Sequence, residues 1–394
     1  MVIETLRLKH FRNYPELTLR PHPGLNLFFG PNGAGKTNIL EAIHYCALGK
    51  SHRAGSDREV VQREESAGAC AATVRSDLPG SGRSEIMVRL SPAEPRKKTV
   101  WIDRRKAERL ADLMGHVRCV IFSPEDLSLV REGPSQRRRY LDMMICQLDP
   151  VYFVALQRYA RAMEERGALL REARKQEAAV LPDALLAPYE AMMAEESRTI
   201  IARRRRVMER LSDIAREKYA AIAGDPGEAF AAGYTPNVAE GEDLAETLAR
   251  HRWVDMNRGA ATHGPHREDI ALTLNGREMK LYASQGQTRT AALALKLAQL
   301  ALFSRETGET PVLLLDDVMS ELDMRRRTRL LGEIGDAQTF VTCTDESDLE
   351  SLRDCRTCRV SLTEDRTACL EETRPGPAVP GTGTPAGDGE PDFS

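Results

Sequence analysis

The eight residues "GPNGAGKT", Gly30 to Thr37, follow a short apolar stretch, "LNLFF", and open directly onto "NILEAIHYCALG". A G-x-x-x-x-G-K-[ST] pattern set between a strand and a helix is a phosphate-binding loop, and few folds accommodate one. The glycines at 30, 33 and 35 let backbone N–H groups turn toward phosphate oxygens, and the N-terminus of the following helix favours negative charge. Lys36 is spaced to reach the β- and γ-phosphates, and Thr37 offers a hydroxyl to Mg2+. The expected nucleotide-binding set is thus the whole loop: Gly30, Pro31, Asn32, Gly33, Ala34, Gly35, Lys36 and Thr37.

Such a loop needs a carboxylate for the metal at the end of a buried strand. "VLLLDD", Val312 to Asp317, is an unbroken apolar run closed by two acids, as a central parallel strand would be. Asp316 is expected to hold Mg2+ through water and Asp317 to polarise the attacking water, which with Lys36 makes the catalytic set. The two halves lie about 275 residues apart, far more than a compact strand–loop–helix unit spans, so an insertion separates them.

The pattern between them identifies the insertion. Up to about residue 130 the chain reads as strands, several alternating with period two, among them "VIETLRL", "CAATVR", "SEIMVRL" and "CVIF". From Gln136 to about Ile222 it turns helical, with apolar residues such as Leu156, Met163 and Leu170, or Val207, Leu211 and Ile214, recurring at helical spacing. "LPDALLAPYE" is expected to break this run into two helices of roughly 25 to 35 residues. The expected organisation is an α/β fold: a first lobe over 1–135, an inserted helical hairpin or bundle over 136–262, and a second lobe over 263–370. Residues 371–394 are expected to form a disordered acidic tail, because they carry five Pro and five Gly with little to pack.

That tail also explains the overall charge. The net charge of −3 seems to disfavour a nucleic-acid partner, yet the tail holds five acidic groups and one Arg, leaving the rest of the chain near +1. Three basic runs, Arg137–Arg139, Arg203–Arg206 and Arg325–Arg327, are candidate DNA-phosphate contacts, with solvated helix faces as the alternative. No apolar run approaches the roughly 18 residues of a membrane span, and the N-terminus lacks the apolar core of a signal peptide, so a cytoplasmic protein without a membrane partner is expected. The eight cysteines follow no disulfide framework. Cys343, Cys355, Cys358 and Cys369 leave open a four-thiolate zinc site against ordinary free thiols.

Taken together, "GPNGAGKT", "SQGQ" (Ser284 to Gln287), "LLLDD" and "SELD" (Ser320 to Asp323) resemble the ABC-type ATPase heads of the SMC class, in which an insertion splits one head into two lobes. "FRNY" (Phe11 to Tyr14), "FSPEDL" (Phe122 to Leu127), "GPHRED" (Gly264 to Asp269), "SQGQTR" and "DDVMSELD" resemble one branch of it, the RecF family, in that family's order from residue 11 to residue 323. The resemblance implies ATP and Mg2+ as cofactors and a homodimer formed with ATP. In that dimer Ser284, Gln285, Gly286 and Gln287 form a signature loop that caps the γ-phosphate of ATP held by the partner. Ser320 and Asp323 resemble the D-loop that reports across the same interface, and Arg53 resembles an arginine near the phosphates. The implied role is recombinational DNA repair and replication restart: binding duplex DNA at single-strand/double-strand junctions, aiding recombinase loading with RecO and RecR, and supporting SOS induction.

The family pattern departs from that of transport ATPases in two places. The acid after Asp316 is Asp317 rather than Glu, and "TFVTCTD" supplies Thr342 and Thr344 but no His. Both departures favour slow, DNA-coupled ATP hydrolysis over a transport cycle. The Q-loop residue is open between Glu125 and Asp126. The alternatives are an ABC ATPase subunit of a transporter, or an ATP-driven nuclease component, for which the chain after residue 370 offers no carboxylate-rich domain.

Overall fold

The computed structural model describes residues 1–78, 80–94, 97–176, 182–345 and 355–377. It divides into two compact units, one of Met1–Asp126 with the chain from Lys296 onward, the other of Leu127–Leu295.

The first unit holds two sheets. Strands β1 (Val2–Phe11), β2 (Tyr14–Leu19), β4 (Gly68–Arg75), β5 (Arg83–Leu90), β6 (Lys98–Ile102) and β7 (Arg105–Lys106) form an antiparallel sheet in the order β2-β1-β4-β5-β6-β7. Its alternation is that read in the sequence: Ile3, Leu6, Leu8 and Phe11 of β1 and Ile86, Val88 and Leu90 of β5 are buried, while the residues between them are less so.

The second sheet assembles both ends of the chain. Strands β3 (Leu25–Phe29), β8 (Cys119–Phe122), β12 (Val312–Asp316), β13 (Thr339–Cys343), β14 (Cys355–Leu362) and β15 (Ala368–Arg374) lie in the order β15-β14-β3-β13-β12-β8. All pairings are parallel except β14 with β15 at the edge. Every residue of β8, β12 and β13 is buried, which explains the apolar runs Cys119–Phe122 and Val312–Leu315. Helix α1 (Lys36–Leu48) leaves the end of β3 and is buried along most of its length, stopping at Gly49 in a left-handed cap. Strand β15 runs on to Arg374, beyond the expected lobe boundary at 370, because ladder bonds to β14 satisfy its backbone. Residues 378–394 of the expected acidic tail lie outside the described residues.

The second unit contains α2 (Ser128–Arg131), α3 (Pro134–Leu148), α4 (Pro150–Lys175), α5 (Asp183–Ala223), α6 (Leu244–Arg250), α7 (Arg252–Arg258) and α8 (Met279–Tyr282). It also holds a three-stranded sheet, β11-β10-β9, of β9 (Phe230–Thr235), β10 (Asp269–Leu274) and β11 (Arg277–Glu278). Residues 263–295 therefore cluster with the helical unit, because β10 pairs along its whole length with β9, the strand that follows α5. Helix α9 (Gln285–Thr307) spans the division between the units, and α10 (Met324–Ile334) follows β12.

Helix α5 reaches 41 residues, longer than its composition suggested, because Pro188 falls near its start and the helix continues through it. On α4 the buried stripe is Tyr152, Ala155, Tyr159, Ala162, Arg166 and Leu170, so Leu156 and Met163 flank the core instead of centring it. Two buried arginines cross-link this unit. Arg166 pairs with Glu190 at 3.0 Å and Asp255 at 2.8 Å, and Arg204 pairs with Asp142 and Glu268, each at 2.7 Å.

These pairs recast two of the basic runs. Within Arg203–Arg206, Arg204 is 2 % exposed, Arg203 holds Asp149 and Arg205 holds Glu240. Within Arg137–Arg139, Arg137 is buried in a two-bond contact with Asp269, and Arg138 donates to the Glu268 carbonyl. The "GPHRED" segment is thus a structural knot, with Glu268 and Asp269 neutralising Arg204 and Arg137. In the third run Arg326 pairs with Asp323 and Arg327 donates to the Leu322 carbonyl. Among the described residues no helix is long and apolar enough to cross a membrane.

Candidate nucleotide-binding site

The loop between β3 and α1 takes the conformation its glycines permit. Gly30 has φ 146° and Gly35 φ 115°. A Cβ on Gly30 would stand 2.1 Å from the carbonyl oxygen of Val360 on β14, so no side chain fits there. The outer wall of the loop is the turn "FRNY": the Asn13 amide donates to the Ala34 carbonyl at 2.9 Å, and the Tyr14 hydroxyl to the Gly35 carbonyl at 3.2 Å. Asn38, one residue after the loop, donates to Asn13 Oδ1 at 2.6 Å. "FRNY" thus fastens two carbonyls of the phosphate loop.

Lys36 Nζ donates to the carbonyls of Gly30 at 2.6 Å and Pro31 at 3.0 Å. An ammonium has three protons, so one remains for a phosphate oxygen. Burial lowers the Lys36 pKa, and Asp317, Cys343 and Asp316 pull it back up.

The two acids at the end of β12 are placed by β13. Thr37 Oγ1 donates to Asp316 Oδ1 at 2.7 Å, and Thr342 Oγ1 donates to the same oxygen at 2.8 Å. Thr342 Oγ1 also accepts from the Asp317 N–H at 2.9 Å, so one hydroxyl ties the Asp316 carboxylate to the Asp317 backbone. Asp317 itself has φ 53°, an uncommon turn for a non-glycine residue, which redirects its side chain after the strand. Burial raises the Asp316 pKa; Thr37, Thr342 and Arg53 pull it down, and Glu125 pushes it up. Both hydroxyls engage the same carboxylate oxygen, Oδ1. The Thr37 hydroxyl and the Asp316 carboxylate are adjacent hard oxygen donors, and one or two such protein ligands beside phosphates suit Mg2+.

A charged cluster backs the first turn of α1. Glu41 is fully buried and accepts from Arg12 Nη2 at 2.6 Å, Arg12 Nε at 2.8 Å, Arg53 Nη2 at 3.0 Å and the Ser51 hydroxyl. Burial would raise its pKa, but these bonds from Arg12, Arg53 and Ser51 hold it at about 2. Arg53 also contacts Asn38 Oδ1, which places the guanidinium beside the first turn of α1. Glu41 gave no sequence signal, since one acid in an apolar helix reads as solvated.

The two Q-loop candidates differ in their surroundings. Asp126 is taken by Lys296 at 2.7 Å and by the Ser123 N–H at 2.8 Å, and Lys296 also donates to the Ile121 carbonyl at 2.8 Å. Glu125 is exposed. It follows β8, whose Phe122 pairs with Leu315 beside Asp316.

The remaining expected residues fall in two places. Ser320 Oγ donates to the Asp317 carbonyl at 2.8 Å and reaches Asp317 Oδ1 at 3.2 Å, and Asp323 caps α10 through the Arg326 N–H at 2.9 Å. Lys36, Thr37, Asp316, Asp317, Arg53 and Ser320 thus lie together in the first unit. Ser284, Gln285, Gly286 and Gln287 belong to the second, at the N-terminus of α9, where Ser284 and Gln285 are exposed. Gln287 N–H donates to Ser284 Oγ at 3.2 Å and Ser284 N–H to Gln287 Oε1 at 2.8 Å, a reciprocal capping box.

Cys343, Cys355 and Cys358 are buried and Cys369 is exposed. Among the described residues no group of three His, Cys, Asp or Glu side chains is placed to hold a metal.

Residues 2–368 match the family model described as the RecF/RecN/SMC N terminal domain. The "DNA replication and repair protein RecF" of Acetivibrio thermocellus is 39% identical over 89% of this chain and 95% of its own length. That of Symbiobacterium thermophilum is 40% identical over 89% and 93%. Among solved structures, the "recombination mediator protein RecF-ATP in RecFOR pathway" superposes with a TM-score of 0.83 at 31% identity, covering 95% of this chain and 98% of that one. An Smc head domain from Pyrococcus furiosus shares the fold at 17% identity, with a TM-score of 0.54 over 94% of this chain and 96% of its own.

Proposed function

Because this chain belongs to the RecF family of SMC-type ATPase heads, we propose that it is an ATP-dependent DNA-binding protein of recombinational repair and replication restart. The observation that carries this reading is the closure of Thr37 onto Asp316 across 279 positions of chain, which brings together two oxygen donors suited to Mg·ATP. The chain's own residues divide the work. The loop N–H groups and Lys36 bind the phosphates, Thr37 and Asp316 hold Mg2+, and Asp317, fixed by Thr342, accepts a proton from or orients the attacking water. Mg2+, when bound, neutralises charge on the β- and γ-phosphates.

The exposed Ser284 loop is the cap for ATP held by a second copy. Two copies joined head to tail each complete the other's site, so the dimer persists only while the γ-phosphates do. Charge-assisted bonds of about 1.5 to 3 kcal/mol each, at two sites, suffice to switch a weak dimer. Duplex DNA at gap junctions is the substrate of the closed dimer, and hydrolysis releases it. RecO and RecR are the partners, recombinase loading is the outcome, and SOS induction follows from it.

The test is duplex-DNA binding by the wild type with and without ATP, at fixed and stated salt because phosphate contacts are salt-sensitive. The proposal expects binding that rises with ATP; equal binding without nucleotide, or none, favours a transporter subunit or nuclease component.

A further inference from the structure

The signature loop is held in shape by a residue outside every motif. Gln287 spends its amide within its own chain: Oε1 accepts from the Ser284 N–H, and Nε2 donates to Glu228 Oε1 at 2.7 Å. Glu228 is in turn fixed by the Tyr219 hydroxyl, which donates to Oε2 at 2.8 Å from the last turns of α5. The segment carrying Glu228 is clamped on its other side by Asn275, whose side chain accepts from the Ala229 N–H at 2.7 Å and donates to the Gly227 carbonyl at 3.0 Å.

A carboxamide turned by 180° exchanges donor for acceptor. A carboxylate facing one end removes that freedom, because only the NH2 end of Gln287 can meet Glu228. The oxygen must then face the Ser284 N–H, which closes the capping box and fixes where Ser284 Oγ stands. Helix geometry leaves the N–H groups of Gln285 and Gly286 without intrahelical acceptors. The loop therefore offers the Ser284 hydroxyl and two backbone N–H groups to an anion, while Gln287 works as a brace.

We propose that Glu228 is the positioning residue of the signature loop, setting the Gln287 amide so that Ser284 and the first N–H groups of α9 meet the γ-phosphate of ATP on a second copy of this chain. The proposal rests on the trans-capping reading above. It also makes the end of α5 part of the cap, since Tyr219 orients Glu228.

The experiment compares wild type, Glu228→Ala and Glu228→Gln, full length, for ATP-dependent dimerisation by light scattering, with fluorescent-ATP binding to the monomer and thermal unfolding alongside. Glu228→Gln can still accept from Gln287, so it should dimerise within about threefold of wild type, whereas Glu228→Ala should weaken the dimer by about tenfold or more. Nucleotide affinity of the monomer should be unchanged in both. Tyr219→Phe should move dimerisation the same way, less far, and remains informative if Glu228→Ala fails to fold. Wild-type dimerisation by Glu228→Ala, or a Glu228→Gln as weak as Glu228→Ala, overturns the positioning role while leaving trans-capping intact. A wild type that stays monomeric in ATP sinks trans-capping itself, and this proposal with it.

Discussion

Thr342 places one hydroxyl between two acids, donating to Asp316 Oδ1 at 2.8 Å and accepting from the Asp317 N–H at 2.9 Å. Strand β13 thus delivers the group that orients the Asp316 carboxylate. Thr342→Val keeps the shape and removes both bonds. Mg2+-dependent ATP turnover should fall about 10- to 100-fold, as expected when a partner behind a metal ligand is lost. A Mg2+ titration of the steady-state ATPase checks this, and an unchanged apparent Mg2+ affinity would count against the assignment.

Gly30→Ala drives a methyl into the Val360 carbonyl at 2.1 Å and forces a side chain into φ 146°. Overpacking of this kind costs about 1 to 3 kcal/mol, and it falls at the base of the phosphate loop. Nucleotide binding should be lost and the melting temperature lowered together. Lys36→Ala should also weaken nucleotide binding, and with it ATP-stimulated DNA retention, but without comparable loss of stability; calorimetry on both variants separates the two effects.

Ser284→Arg should leave ATP binding by the monomer intact and abolish ATP-dependent dimerisation, because Ser284 is exposed and its proposed work is on ATP held by a second copy. Light scattering in ATP that still shows dimers would refute capping in trans.

Arg204 and Arg206 are two residues apart and should behave oppositely. Arg204→Ala leaves Asp142 and the buried Glu268 without their counter-charge, a change that typically costs about 3 to 5 kcal/mol. Arg206 is exposed, and Arg206→Ala should stay within about 0.5 kcal/mol of wild type. Urea unfolding of the pair decides it; similar midpoints would contradict the structural reading of the run.

Acid should destabilise the fold in two stages. Burial lowers the His266 pKa to about 4; the bond from Nε2–H to the Ala261 carbonyl opposes this, while the nearby Arg267 and Arg138 add to it, so the neutral ring is favoured. Its contribution is present above the ordinary 6.5 and lost as pH falls toward 4. Glu41, held at about 2 against 4.5, contributes above pH 4.5 and loses that contribution as pH falls toward 2. Between pH 7.5 and 5.5 the His266 share is about 1 kcal/mol. His266→Gln should flatten that first stage in thermal unfolding, and an unaltered slope would point to other groups.

The phosphate loop and the acids of β12 were legible because chemistry fixes residue type at fixed spacing there, and β1 and β5 because burial on one face imprints period two. The arginine runs were not. A helix turns each successive residue by about 100°, so a uniform run conceals that only Arg204 of its four faces the core. Glu41 and Glu228 were silent for a related reason: each acts through partners distant in sequence, Arg12 and Arg53 for one and Gln287 for the other. The grouping of residues 263–295 with the helices was hidden too, since it depends on β10 finding β9 across a gap filled by α6 and α7.

The sheet that carries the phosphate loop also sets a timetable for synthesis. Strand β3 lies between β13 and β14, both made from the last part of the chain. A ribosome adding about 5 to 20 residues per second needs roughly 15 to 70 s to travel from Phe29 to Leu362. Until Cys343 is made an apolar strand, Leu25–Phe29, waits without either neighbour, and until Leu362 without the second. A chain stalled before β14 would hold Leu25–Phe29 with one of its two ladder partners still unmade.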